Sequence, residues 1–173
     1  MANVDAPKGL WPIRHLCGGQ IRANGYLVTT GVTIYQGDIV ELDSAGTVGV
    51  AEAGDGVAVI GVAAEYVDDS GSAGGKKIAI YDDPFIVFGI QQQTGGSVAA
   101  ADVGLSADHV AGAGNATTKL SGHELSLTLA GTAAQFFILA KISEATNDWG
   151  EHCDLEVIFN EHRYKGAAGA AGV

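Results

Sequence analysis

Positive charge is what this chain has least of: 9 Lys and Arg stand against 20 Asp and Glu, for a formal net charge of −11. Binding to DNA or RNA needs clustered cations that neutralise phosphates, so this balance excludes nucleic acid as the main partner. Cysteine is nearly absent. Cys17 and Cys153 cannot build a disulfide framework, no CxxC occurs, and four-ligand zinc spacing is missing, so neither a metal nor another cofactor is expected. Proline occurs 3 times and no Gly-x-y period accompanies the 26 glycines, which excludes collagen. No window approaches the ~18 consecutive apolar residues of a membrane span, and Met1–Leu10 holds no apolar signal-peptide core. Synthesis in a cytoplasm, with free thiols and no membrane partner, is the resulting expectation.

What is present is a chain long enough for one domain with a real core, since 47% of its 173 residues are apolar. Charge is unevenly placed: residues 1–26 hold Lys8, Arg14 and Arg22 against Asp5 alone, while the other 147 residues hold 6 cations against 19 anions. Pro7, Pro12 and several glycines favour extended structure, so residues 1–20 read as an arm that lies on its own body or on a partner chain. Residues 21–165 read as β throughout. Strand-forming runs cover Tyr26–Thr30, Val32–Tyr35, Asp38–Leu42, Thr47–Val50, Val57–Val67, Lys76–Tyr81, Phe85–Gln91, Phe136–Ile142 and Leu155–Phe159. Val57–Val67 is apolar on both faces, as in the middle of a sheet, and Leu125, Leu127 and Leu129 alternate with polar residues. A turn falls at Asp43–Gly46, and Ser97–Val103 allows one short helix. Short strands joined by Gly-rich turns indicate a compact β barrel or sandwich. The Gly/Ala-rich residues 166–173 are expected to fray as a flexible tail.

Catalytic patterns fail one by one. Ser106 lacks the second glycine of a nucleophile elbow, and Ser106, Asp108 and His109 stand too close together in a Gly/Ala-rich loop to make a triad. His123-Glu124 is not followed by the second histidine of a zinc helix. Asp68-Asp69 and Asp82-Asp83 read as solvated turn formers, and Asn115-Ala116-Thr117 as a chance glycosylation match. His15 with Cys17 and His152 with Cys153 supply soft ligands near each terminus but without zinc spacing. An acidic β body, a basic apolar arm and loops poor in reactive side chains suit a structural or interaction protein rather than an enzyme.

Three segments carry a family likeness: residues 1–19, Tyr81–Phe88 with Gln91, and Trp149–Glu151 leading into Leu155–His162. With the hairpin-like stretches Gly37–Gly46 and Val59–Val62 between them, they resemble the small head decoration, or cement, proteins of tailed phages. That resemblance implies a β-tulip-like fold and a homotrimer clamped to the outer surface of the virion. There it would bind the major capsid protein and stabilise the mature head. The arm would supply the contacts, with Leu10, Trp11, Pro12, Arg14 and His15 as the residues in question. Asp82, Asp83, Pro84 and Trp149 would be further oligomer or turn contacts. On this reading, deleting residues 2–16 leaves the body folded but unable to bind. A ligand- or carbohydrate-binding β module of a phage fibre is the alternative, against which stands an aromatic content of only 7%.

Overall fold

The computed structural model describes residues 3–54, 59–71, 74–130 and 134–165. The fold is mainly β, with 43% strand and 2% helix. In chain order the strands are β1 (Trp11–His15), β2 (Asn24–Leu27), β3 (Thr33–Ile34), β4 (Ile39–Leu42), β5 (Val48–Val50), β6 (Val59–Ala63) and β7 (Val67–Asp68). There follow β8 (Lys77–Tyr81), β9 (Ile86–Gln91), β10 (Ser106–Val110), β11 (Glu124–Ala130), β12 (Phe136–Lys141) and β13 (Asp154–Phe159). They form a six-stranded sheet in the order β1-β9-β13-β12-β10-β11, a five-stranded sheet β2-β8-β6-β4-β5, and the pair β3-β7. Among the described residues every pairing between these strands is antiparallel. The compact, mainly β fold agrees with the sequence, and among the described residues none of its sheets closes into a barrel.

Two cores lie on opposite faces of the five-stranded sheet. Ile39, Val59 and Val62 point into the first, with Phe88, Phe136 and Phe159 of the six-stranded sheet; their chain neighbours Val40 and Ile60 point into the second, with Ile34, Ile78 and Ile80. Successive strand residues face opposite ways, so a sheet covered on both sides needs apolar residues at every position. β6 is accordingly buried along its whole length, as is β9 in the six-stranded sheet. The phenylalanines centre the first core, with the Phe159 ring 5.5 Å from Phe88 and 4.9 Å from Phe136.

Several expectations change. The run Val57–Val67 divides into β6 and β7, with residues 55–58 outside the described set. The predicted helix shrinks to a 3₁₀ turn, Ala100–Asp102. Ser106, Asp108 and His109 lie on β10, not in a loop. The tail at 166–173 lies outside the described residues.

The N-terminal segment is built into the body as a strap along β9. Gln91 holds its start: the Ala6 N–H donates to Gln91 Oε1 at 2.8 Å, and Gln91 Nε2 donates to the Val4 carbonyl at 3.1 Å. Leu10 donates its N–H to the Gly37 carbonyl at 2.9 Å and sinks its side chain into the first core. Gly9 and Gly37 make that crossing possible. Both adopt left-handed φ, and a Cβ on Gly9 would sit 2.3 Å from the Gly37 oxygen. β1 then pairs with β9 from Trp11 opposite Gly89 to His15 opposite Ile86. Removing residues 2–16 would therefore strip a core side chain and an edge strand, so the deletion should destabilise the body as well as remove the arm.

Candidate interaction surface

β1 is the terminal strand of its sheet, and its register shifts between Pro12 and Arg14. Proline has no N–H to give to a ladder, so an edge with a bulge is where the sheet accommodates it. Trp11 lies over Gly89, where a Cβ would come within 2.2 Å of the indole. The Lys8 ammonium caps the same ring, 3.8 Å from its centroid. Arg14 reaches across β9 to Glu156 of β13, with Nη2 2.7 Å from Oε2. Beside the strand a shallow groove is lined by Lys8, Trp11, Pro12, Gln36, Tyr81 and Leu120. Leu10 also lines this groove but is only 3% exposed, its side chain serving the first core.

The far end of β1 meets the β8–β9 turn, bringing together His15 and Asp82-Asp83-Pro84. His15 Nδ1 accepts the Cys17 and Gly19 N–H groups at 3.1 and 3.0 Å, so the proton sits on Nε2, which donates to Asp83 Oδ2 at 3.0 Å. The other Asp83 oxygen accepts the Phe85 N–H at 2.9 Å, and Leu16 donates to the Phe85 carbonyl at 2.9 Å. Asp82 is not a solvated turn residue: 8% exposed, it accepts from Asn24 Nδ2 and from the Tyr26 hydroxyl. Burial, then the hydrogen bonds to Asp82 and Tyr164, push the Tyr26 phenol upward, so it stays a donor. Asp69 departs from the same expectation, being fully buried, whereas Asp68 does cap its turn by accepting from Ser70 and Thr33.

Around this corner Leu16, Phe85 and Tyr164 remain 48%, 44% and 61% exposed. Tyr164 hydrogen-bonds Tyr26, and the adjacent Lys165 ammonium stands 5.1 Å from the Phe85 ring centroid. The sequence reading missed these three apolar residues. Leu16 and Phe85 each directly follow a contact candidate, which was the available signal. Trp149 lies elsewhere, 38% exposed in the β12–β13 loop. Its neighbour Asp148 bonds Asn3 at the opposite end of the strap.

The histidine of the rejected triad belongs to a polar cluster inside the molecule. His109 Nδ1 lies 2.7 Å from Gln135 Oε1 and Nε2 lies 3.2 Å from the Ala51 carbonyl, so neither ring nitrogen is given to Ser106. The His123 ring stacks on His109 at 5.0 Å. His123 Nδ1 accepts the Ile39 N–H, and Nε2 stands 3.6 Å from Asp38. Burial pushes both imidazoles down, His123 to about 3. The four candidate soft ligands do not assemble: Cys17 is exposed, Cys153 is buried in the first core, and both thiols are free.

Comparison of the chain with protein families, with characterised proteins and with solved structures gave no match.

Proposed function

We propose that this chain is a structural binding protein that docks on the outer surface of an assembled protein shell, as the decoration proteins of tailed phages do, and reinforces it as a homotrimer. The observation that supports this reading is the continuity of β1, carrying Trp11, Pro12 and Arg14, with the corner where Leu16, Phe85 and Tyr164 stay exposed. An aromatic and arginine surface rimmed by polar groups is the usual anchor of a protein interface, and a free strand edge can accept a further strand. The acidic body would keep a crowded, repetitive particle surface soluble. Many copies on one particle turn a moderate affinity, near ~1 μM or ~8 kcal/mol per site, into lasting stabilisation.

The test leaves the strap in place. Phe85→Asp and Tyr164→Asp change exposed side chains, so the variants should fold. Co-sedimentation with undecorated heads of the parent phage should show wild-type chain bound, and the double variant lost at the same concentration. Full occupancy by the double variant would sink the docking surface, and a monomer in light scattering would sink the trimer.

A further inference from the structure

At the start of the strap the fold brings one ligand atom from each of Asp5, Glu124 and His152 within 4.8 Å of one another. They come from three separate parts of the chain: the strap, the first residue of β11 and the end of the β12–β13 loop. The Gln91 amide fixes two of them. It bonds the residues on either side of Asp5, and its Nε2 also donates to the His152 carbonyl at 3.2 Å. His152 Nδ1 lies 3.8 Å from Asp5 Oδ1. Glu124 Oε1 and His152 Nδ1 are both closed off from solvent without a hydrogen-bond partner, while Asp5 is 56% exposed and leaves one side open. Two carboxylates and an imidazole thus converge, and among the described residues Glu124 Oε1 and His152 Nδ1 have no hydrogen-bond partner.

We propose that Asp5, Glu124 and His152 form a binding site for a divalent transition-metal ion, best matched by zinc, which fastens the N-terminal strap to the body. Zinc takes one imidazole nitrogen and two carboxylate oxygens at roughly 2.0–2.2 Å and completes its shell with water. A tetrahedron of that size has edges of about 3.3 Å, so the 3.8 Å Asp5–His152 pair needs only a small side-chain adjustment to reach it. The imidazole disfavours magnesium and calcium, which prefer oxygen ligands alone. Binding through Nδ1 leaves the Nε2 proton facing Glu151 Oε1, 4.0 Å away, the outer carboxylate that metal-bound histidines commonly have. This inference does not rest on the docking surface, which lies at the other end of the strap.

The experiment is calorimetric titration of the full chain with zinc chloride at neutral pH. It is done in a Cys17→Ser background, because that exposed thiol is the competing zinc donor. One ion per chain is expected. Asp5→Asn and Glu124→Gln should each weaken binding by about tenfold or more. His152→Asn should abolish it while keeping the backbone, since Asn tolerates the left-handed φ of 55° found there. Zinc should raise the melting temperature of the parent chain and, at the same concentration, raise it less in the Asp5→Asn variant, whose exposed substitution leaves folding intact. Absence of saturable binding, or binding unchanged in an Asp5→Asn/Glu124→Gln double variant, overturns the proposal.

Discussion

At the scale of single residues, the buried histidines set how the protein responds to acid. His109, His123 and His162 are held below their ordinary value of 6.5 chiefly by burial, His123 to about 3 and His162 to about 4. The folded state keeps them neutral, while the unfolded chain takes up protons once the pH falls below 6.5. Their contribution to stability is complete above that value and is lost progressively towards pH 4 and below. Three protons set a slope of at most about 4 kcal/mol per pH unit. Asp38 works the other way, because burial raises its carboxyl. Urea midpoints measured from about pH 7 down to about pH 5 should therefore fall steadily; a flat profile would show that these rings are not buried neutral. Little of this was legible in the sequence. A histidine on a strand looks the same whether it meets solvent or Gln135, and the Asp5, Glu124 and His152 grouping has no spacing to read because the topology assembles it.

At the scale of elements, the seat of β1 depends on a residue that looks like a defect. Gly89 lies inside the fully buried β9, and its missing side chain is the space that the Trp11 indole fills. Gly89→Ala should push the indole outward, cost about 1–3 kcal/mol as other overpacked sites do, and shift its fluorescence to the red. The measurement is made in a Trp149→Phe background so that one indole reports; an unshifted spectrum with unchanged stability would contradict the packing. The hairpin elements were legible beforehand. Asp43 accepts the N–H groups of Ala45 and Thr47 and closes the β4–β5 turn at the predicted place, and the two-sided apolar run became the doubly covered β6. The strap was half legible: its extended form followed from proline and glycine, but its attachment to β9 depends on a partner strand distant in sequence. β10 was missed because its Ser-Ala-Asp-His-Val composition lacks strand-forming residues except the last, and burial between neighbours overrides that propensity.

At the scale of the whole molecule, β4 and β6 serve both cores, so neither core can open without exposing the other. Phe136→Ala, in the first core, should cost about 3–5 kcal/mol. Val40→Ala, in the second, should cost less, and both should lower one shared melting transition. Tryptophan fluorescence and far-UV circular dichroism should then give the same midpoint in each variant; two separated transitions would mean that the cores unfold independently. The strand order of the large sheet also has a consequence for the protein's birth. β13, the last strand among the described residues, stands between β9 and β12, while β1 lies on the outside of β9. During synthesis the ribosome releases both neighbours of β13 before β13 itself exists, so the large sheet closes its central gap only once β13 has been made. Until then the nascent chain carries two unpaired edges, and a message truncated before Asp154 leaves them open for good.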